Sequence, residues 1–382
     1  MAEVYEVGAK RRVPPLDPVL LYVVLALLAL GLTMVYSASA FVAAQRTGHS
    51  AYYLLHDCVN IGISLVAFVL VVQIPMGFWR RVSPYLLIIG LFGLVMVLIP
   101  HVGVRVNGSA RWLSLGVANL QPSEFLKLFL VLYLAGYLVR RQDRLSEFTH
   151  GILTVATLLM VTGVLLLLEP DMGSEVILWA VAFGMLFVGG VRLSHFIAVL
   201  VAGLGAGTVL IVASRYRERR IIGFLHPFAQ AKGNGYQLVQ SLMAFGRGGW
   251  FGRGLGLSLQ KLYYLPAAHT DFLFAIIAEE FGFVGVLVVA VLFAVFIVRA
   301  FQIAEGARRY GDLYSSFVAQ GIGILLGLEA IINMGVNMGV LPTKGLALPL
   351  LSYGGSSTLM SCVATALLLR IDRETRAQGA SR

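Results

Sequence analysis

Long apolar runs separated by short polar segments make up most of this chain. A helix needs about 20 apolar residues to cross the ~30 Å hydrocarbon core of a membrane, and ten runs approach that length. They cover residues 19–44, 54–74, 83–100, 122–139, 151–168, 174–190, 193–213, 273–298, 313–338 and 350–370. The pattern predicts an all-α polytopic membrane protein with ten transmembrane helices.

The longest polar segment, residues 214–272, lies between the seventh and eighth predicted helices. We therefore expect an N-terminal tail of residues 1–18, a ten-helix membrane domain of residues 19–371 that includes this loop, and a C-terminal tail of residues 372–382. The first apolar run exceeds the ~7–15 residues of a signal-peptide core, so we expect it to be an uncleaved helix.

Composition supports this class of protein. Hydrophobic residues make up 58% of the chain and charged residues 13%, whereas soluble domains carry about 25% charged residues. The net charge of +10 lies mostly in short loops between apolar runs, which is not the pattern of a nucleic-acid-binding protein.

The distribution of basic residues predicts the orientation. With the N-terminus in the cytoplasm, the inner segments hold sixteen lysines and arginines and the short outer loops hold four. The positive-inside rule then places both termini in the cytoplasm and the 214–272 loop outside. That loop carries eight basic residues against Glu218 and Asp271. Its positive charge predicts contact either with lipid headgroups or with a phosphate-bearing substrate.

Asp271 is the carboxylate at the end of this basic loop, directly before an apolar run. One interpretation is that Thr270 or Asp271 caps the helix that begins there. The other is that a carboxylate fixed at the membrane surface accepts a proton or binds a cation. His269 is a possible second acid or base. Earlier in the loop, residues 236–245 predict a short amphipathic helix at the outer interface.

Ionisable residues within predicted spans are the next candidates, because they are costly in a membrane and usually functional. Glu124 and Lys127 share a helix face near the outer surface, either as a structural ion pair or as a headgroup contact. Glu329, Asn333 and Asn337 recur at four-residue steps, which predicts a polar face or a set of interhelical hydrogen bonds.

Two further pairs of carboxylates and one irregular segment complete the candidates. Glu169 with Asp171, and Glu279 with Glu280, are possible metal or proton sites, although neither spacing is a recognisable metal motif. A glycine- and serine-rich break at residues 341–357 interrupts the approach to the last span. Irregular backbone at membrane depth needs burial or water, so this segment is predicted to line a cavity.

Six ordered motifs resemble the SEDS family of bacterial cell-wall proteins, named for shape, elongation, division and sporulation. They are Ala-Arg-Trp-Leu-Ser-Leu-Gly at 110–116, Gln-Pro-Ser-Glu-Phe-Leu-Lys-Leu at 121–128, Glu-Pro-Asp-Met-Gly-Ser at 169–174, Gly-Tyr-Gln-Leu-Val-Gln-Ser at 235–241, His-Thr-Asp-Phe at 269–272 and Ser-Tyr-Gly-Gly-Ser-Ser at 352–357. Residues 341–346 and 369–376 are similar to the division branch, FtsW, more than to RodA. Ala267 departs from the family pattern, which commonly has glutamate there.

The resemblance implies a peptidoglycan glycosyltransferase that polymerises lipid II at the outer face of the bacterial cytoplasmic membrane, at the division septum. Asp271 matches the carboxylate regarded as essential in the family, and general base on the acceptor sugar is the role we predict for it. The predicted substrate-binding residues are Arg105, Arg111, Glu124, Lys127, Arg220, Gln240, His269, Thr270, Lys344, Ser352 and Ser356. A divalent cation, Mg²⁺ or Mn²⁺, is expected on the substrate pyrophosphate.

The resemblance also implies partners, namely a class B penicillin-binding protein, which is a transpeptidase, and other division proteins of the membrane. Lipid II and membrane lipids are the expected ligands, with no nucleic acid. Two other function classes stay open. The polar intramembrane residues also suit a flippase for lipid II, and a non-catalytic division scaffold is the third possibility.

Overall fold

The computed structural model describes residues 16–106, 109–114, 119–145, 147–212 and 215–379. Most of the predicted N-terminal tail, and residues 380–382 of the C-terminal tail, lie outside these ranges. Twelve α-helices are present in the described part, at Pro18–Thr47 (α1), Tyr52–Gln73 (α2), Met76–Leu98 (α3), Pro122–Arg140 (α4), Thr154–Leu168 (α5), Met172–Val188 (α6), Leu193–Val212 (α7), Arg215–Leu225 (α8), Tyr236–Gly248 (α9), Leu273–Arg309 (α10), Leu313–Asn337 (α11) and Gly355–Gly379 (α12).

The predicted membrane character is confirmed at a coarse level. Within the described residues, seven helices are long and apolar enough to span a bilayer, and α6 is a shorter apolar helix. The amphipathic helix predicted at 236–245 is present as α9. A short 3₁₀ turn at Gln142–Arg144 and a π turn at Thr149–Leu153 connect α4 to α5.

The description of the fold as all-α is wrong in one place. Three short strands, Gly103–Val106 (β1), Ser109–Ser114 (β2) and Asn119–Leu120 (β3), form an antiparallel sheet in the order β1-β2-β3 between α3 and α4. Its register pairs Gly103 with Leu113, and Leu113 with Leu120. The strands are too short for hydropathy to separate them from a loop, because two to six residues give little alternation.

Local sequence explains where several helices begin. The carboxylate of Asp17 accepts a hydrogen bond from Leu20 N at 2.9 Å at the start of α1. Asp312 caps α11 in the same way, through Ser315 N at 3.1 Å. These side chains satisfy amides that have no partner within the first turn of a helix.

The core of the bundle lies along α4 and α11, which are buried over most of their length. A charged network joins the start of α1, which follows Asp17, to the part of α12 that carries Arg376. Asp17 contacts Arg299 of α10, and Arg376 Nη2 of α12 lies 3.3 Å from Asp17 Oδ2. This network ties α1, α10 and α12 together at the end of the bundle opposite Asp271.

Helix α10 is not continuous, which the apolar run at 273–298 did not predict. Gly282 has φ +67° and ψ −159°, so a buried half-helix of residues 273–281 ends there. A longer helix, residues 283–309, follows it and is long enough to cross a membrane. The break is filled by backbone from the segment after α9: Phe283 N donates to Gly249 O at 2.9 Å, and Gly254 N donates to Glu280 O at 3.0 Å. A break in a membrane helix is tolerated when other parts of the protein satisfy the freed backbone groups in this way.

Candidate active site

Asp271 lies directly before the half-helix, and two amides from α11 hold its backbone. Asn333 Nδ2 and Asn337 Nδ2 donate to Asp271 O at 2.9 and 3.0 Å. Asn337 Oδ1 accepts from Ala275 N at 3.1 Å. The Asn337 side chain therefore bridges Asp271 O, just before the helix, and Ala275 N, an amide of its first turn.

This arrangement replaces the predicted helix cap. The residue at the cap position is Phe272, and no side chain from the segment caps the helix. The Thr270 hydroxyl donates to Ala267 O at 3.2 Å instead. The prediction that Thr270 or Asp271 caps this helix is therefore wrong, because an amide from another helix has taken that role. The Asp271 carboxylate is left available for other contacts.

The irregular segment before α12 passes close to this carboxylate. A Cβ atom added to Gly345 would lie 2.9 Å from Asp271 Oδ2, so the glycine backbone is in close contact with the acid. Asn333 Nδ2 also donates to Leu346 O at 2.5 Å. The same asparagine thus holds both Asp271 and the 343–346 segment, which fixes one against the other.

Two arginines act on Asp271 electrostatically. Burial raises the pKa of Asp271 to about 6, and Arg111 and Arg220 oppose that increase. The Arg220 guanidinium donates to Thr343 O at 3.5 Å, which brings α8 to the 343–346 segment. Burial also lowers the pKa of Lys344, and Arg220 adds to that effect, while Glu175 and Asp171 oppose it. Arg111, Arg220 and Lys344 therefore place positive charge around Asp271, with Asp171 and Glu175 as nearby acids.

Arg111 also has a structural role, because it holds the turn between α5 and α6. Its guanidinium donates to Glu169 O at 3.3 Å and to Pro170 O, and it lies 4.0 Å from Asp171 Oδ1. Asp171 caps α6, accepting from Ser174 N at 3.4 Å. Burial raises the pKa of the Glu169 carboxyl to about 8, with a further increase from Asp171. Glu169 is thus largely protonated at neutral pH.

Glu124 and Lys127 form the predicted ion pair, at 2.8 Å, but with a third member. Lys127 Nζ also contacts the carboxylate of Glu329 in α11. Glu329 belongs to the predicted polar stripe with Asn333 and Asn337, and the stripe is confirmed as a set of interhelical contacts. One lysine shared by two carboxylates in a buried position indicates a structural cluster that joins α4 to α11.

His269 is enclosed by aromatic rings. Its ring centroid lies 4.7 Å from that of Tyr53 and 5.7 Å from that of Tyr353, and Tyr353 N donates to His269 O at 3.1 Å. Burial lowers the pKa of His269 to about 4, with a smaller effect from Arg46. The imidazole is therefore neutral at pH 7, and a second acid or base role would use the neutral ring.

The remaining predicted residues are placed as follows. Ser352 Oγ accepts from Leu348 N at 3.0 Å, and Ser356 Oγ accepts from Gln121 N at 3.0 Å, so both hydroxyls hold backbone. Gln240 is buried in α9, with a side-chain oxygen that has no hydrogen-bond partner. Arg105 belongs to β1, but its side chain lies outside the described part of the chain.

Glu279 and Glu280 have partners that the sequence did not indicate. Lys261 Nζ lies 2.9 Å from Glu280 Oε1, and the Ser37 hydroxyl donates to the same carboxylate at 2.7 Å. Glu279 accepts from Gln260 N at 3.2 Å and contacts the Ser258 hydroxyl. Both acids are occupied by hydrogen bonds to the segment after α9, and they lie at the far end of the half-helix from Asp271.

The residues around Asp271 do not form a protein cage for a metal ion. Among the described residues, no group of three or more histidine, cysteine, aspartate or glutamate side chains is placed to hold one. The neighbours of Asp271 are the cations Arg111 and Arg220. Any divalent cation would take most of its ligands from substrate phosphates and water, as Mg²⁺ often does.

The sequence did not identify Gly345 or the asparagine amides as part of the site. The four-residue spacing of Asn333 and Asn337 predicted a shared face but not which atoms that face would hold. For Gly345, the signal available was its place in the irregular segment before α12.

Known proteins resemble this chain over nearly its whole length. A family model described as cell cycle protein, for FtsW, RodA and SpoVE, matches residues 18–377. A protein of Nitrosococcus halophilus named probable peptidoglycan glycosyltransferase FtsW is 51% identical over 365 residues, covering 95% of this chain and 94% of that protein. One of the same name from Aromatoleum aromaticum is 50% identical over 368 residues, covering 94% of this chain and 89% of that protein.

Solved structures agree with these relatives. A chain from a peptidoglycan synthase complex, described for its coordination of polymerization and crosslinking, superposes with a TM-score of 0.76 at 30% identity, covering 94% of this chain and 98% of that chain. The rod shape determining protein RodA of Thermus thermophilus superposes with a TM-score of 0.68 at 27% identity, covering 94% and 97%.

Proposed function

The chain belongs to the family of cell cycle proteins that includes FtsW, RodA and SpoVE, and on that premise we propose that it is a peptidoglycan glycosyltransferase of the inner membrane. The observation that carries the proposal is the placement of Asp271. Its backbone is held by two asparagine amides, its carboxylate lies against Gly345, and two arginines act on it.

The substrate we propose is lipid II. The hydroxyl oxygen of the acceptor sugar attacks the anomeric carbon of the donor sugar and forms the new glycosidic bond. The bond from that carbon to the pyrophosphate oxygen breaks, and undecaprenyl pyrophosphate leaves with the electron pair. The hydroxyl proton passes to the Asp271 carboxylate, which acts as general base.

The pKa of Asp271 suits this role. A base works best when its pKa is near the working pH, because it is then both ionised and able to bind a proton. Burial raises the pKa to about 6, so most of the carboxylate is ionised at pH 7 and is a stronger base than an exposed aspartate. Arg111, which holds the α5–α6 turn, lowers the pKa of Asp271 and keeps it from rising further.

The positive charge around the site is proposed to hold the pyrophosphate. Arg220 and Lys344 are brought together through the 343–346 segment, and Arg111 and Arg220 both act electrostatically on the Asp271 carboxylate. Charge-assisted hydrogen bonds from arginine to phosphate are strong and often bidentate. Mg²⁺ or Mn²⁺ bound with the pyrophosphate stays a prediction, and no step of the mechanism passes through it.

The finer topology is also part of the proposal. Ten of the twelve α-helices, all except α8 and α9, are taken as spans, with both termini in the cytoplasm and Asp271 on the outer side. The segment from α8 to Asp271 is then the large extracytoplasmic loop between the seventh and eighth spans. Division-branch relatives suggest the septum as the site of action.

A class B penicillin-binding protein is the proposed partner, together with other division proteins of the membrane. The similarity to a chain of a solved peptidoglycan synthase complex supports it. In such a pair this chain would make glycan strands and the transpeptidase would crosslink them.

The test is polymerisation of purified lipid II by the detergent-solubilised protein with its transpeptidase partner. The native chain should form glycan chains. Asp271→Asn keeps the shape of the side chain and its backbone contacts, so it should abolish polymer formation while leaving the thermal unfolding temperature near the native value. Thr365 is buried in α12, and its hydroxyl donates to Ser361 O within the same helix, so the control variant Thr365→Ala should keep the activity.

Three results would contradict the proposal. Full polymerase activity in the Asp271→Asn variant would remove the mechanism. Absence of polymer in detergent, combined with transfer of lipid II across reconstituted bilayers, would favour the flippase. Normal division in cells that carry only the variant would favour the scaffold.

A further inference from the structure

The segment after α9 exposes its apolar side chains and buries its polar ones. We refer to residues 249–264 as the glycine-rich loop. Its exposed fractions are 83% for Phe251, 70% for Trp250 and 64% for Leu257, whereas Ser258 is 2% exposed and Gln260 1%. A loop that faces water normally exposes its polar side chains and buries its apolar ones. Exposed apolar patches of this kind mark a binding surface.

The buried polar side explains why the loop turns this way. Ser258 contacts Glu279, and Lys261 Nζ lies 2.9 Å from Glu280 Oε1. Buried carboxylates need such partners, because an unpaired charge in the interior is costly. The polar residues are therefore committed to the protein, and the apolar residues between them are directed outward.

The loop is also held rigidly by its backbone. Arg253 N donates to Glu279 O at 3.0 Å, and Val284 N donates to Trp250 O at 3.2 Å. Gly252, with φ +80°, packs so closely on Glu280 O that any Cβ atom there would overlap it. The exposed apolar side chains are thus presented by an ordered surface fixed to the break in α10.

Helix α10 gives the depth of the loop in the membrane. Arg299 contacts Asp17 within the charged network at one end of the bundle. Gly282 precedes Arg299 by seventeen residues, which is about 26 Å along a helix, close to the ~30 Å hydrocarbon thickness. The loop therefore lies at the level of the other boundary of the membrane, on the side of Asp271.

The apolar surface of the loop continues the lipid-facing surface of α10. The Trp250 ring packs edge-on against Phe283, with centroids 5.2 Å apart. Phe283 and Leu287 are each 50% exposed on the outside of α10, as side chains that face lipid would be. Tryptophan and tyrosine are enriched at this level of membrane proteins, and Tyr263 and Tyr264 are exposed beside the same surface.

We infer that the glycine-rich loop lies in the interface of the leaflet nearest Asp271, with Phe251, Leu255 and Leu257 inserted among the lipid chains. Short apolar elements bind membranes in this way, at a depth of about 5–10 Å. The loop holds the far end of the half-helix that begins beside Asp271, so lipid contact would also fix the height of the acid above the bilayer. The inference depends on the chain spanning a membrane and not on glycosyl transfer.

The test uses the native fluorescence of Trp250 in the full-length protein. The chain contains four tryptophans, so the difference between the native chain and Trp250→Phe isolates the signal of Trp250. The protein is reconstituted in phosphatidylethanolamine–phosphatidylglycerol nanodiscs, with and without bromine on the acyl chains. Iodide in the buffer reports exposure to water. As a control at an exposed position in the turn before α9, Lys232→Trp is placed in the Trp250→Phe background.

We expect acyl-chain bromine to reduce the Trp250 signal by about half or more, since the ring would contact the chains directly, and iodide to have little effect. The Lys232→Trp control should show the reverse. A second variant, Leu257→Trp in the Trp250→Phe background, should behave like Trp250. Quenching of both loop positions by iodide and not by bromine would overturn the inference and leave the surface to a protein partner.

Discussion

The close approach of Gly345 to Asp271 gives a sharp test of the proposed general base. In Gly345→Ala, the new Cβ would lie 2.9 Å from Asp271 Oδ2, whereas ordinary contacts begin at 3.4 Å. The carboxylate must therefore retreat by about 0.5 Å. Rotation about the terminal torsion of an aspartate is soft, so we expect the change in the free energy of unfolding to stay within ~0.5 kcal/mol.

The cost to catalysis is larger than the cost to stability. A misplacement of about 1 Å at a reacting group can lower the rate ~10²-fold, so half that displacement predicts a loss of about tenfold. A tenfold loss corresponds to ~1.4 kcal/mol of activation free energy. We expect this loss in kcat, with KM little changed, because Asp271 acts on proton transfer in the transition state and not on substrate binding.

The assay is the initial rate of lipid II polymerisation with the transpeptidase partner present, over a range of lipid II concentrations. Gly354→Ala is the matched control, because a Cβ there would meet its nearest atom, Ser357 Cβ, at 3.7 Å. Thermal unfolding of both variants is measured in the same detergent. A Gly345→Ala variant with the native kcat, or a Gly354→Ala variant with the same loss, would refute the reasoning.

Two further predictions follow from the charges of the site. The polymerisation rate should fall as the pH drops through about 6, where the Asp271 carboxylate takes up a proton. Arg220→Gln should move the midpoint of this pH–rate profile upward, because a positive charge that lowers the pKa of Asp271 is lost. A native profile with its midpoint near 4 would contradict this. Lys127→Met should lower the free energy of unfolding by about 3–5 kcal/mol, because the buried Glu329 and the partly buried Glu124 lose their shared counter-charge. The double variant Lys127→Met/Glu329→Leu should recover part of this loss. Thermal unfolding of both variants measures the effect, and a single variant as stable as the native chain would contradict it.

Much of the fold was predictable because membrane helices must be apolar over a fixed length. The runs at 122–139 and 313–338 match α4 and α11 within one residue at each end. The break at Gly282 was not predictable in the same way. The apolar pattern continues through it, and the backbone partners that make it possible come from residues about thirty positions earlier.

For the candidate site, the sequence could indicate residue types and could not indicate their geometry. Asp271 stood out by its position and by the family resemblance, and the spacing of Asn333 and Asn337 indicated a polar face. That an asparagine from α11 would replace a local cap depends on which helices pack together, and no local pattern carries that information. Arg111 was predicted to bind substrate, and the structure adds a contact with the α5–α6 turn that such a prediction does not contain.

The backbone pairing at the Gly282 break also determines where this protein can accept extra length. An epitope or fluorescent tag inserted between Gly249 and Gly254 would separate the amides and carbonyls that pair with α10 at the break, and those buried backbone groups would lose their partners. The turn around Lys232 is exposed, and the backbone hydrogen bonds of Gln230 and Gly233 lie within the turn itself, so a tag there leaves the pairing at the break in place. Residues near 232 are therefore the sound choice for labelling this region in living cells.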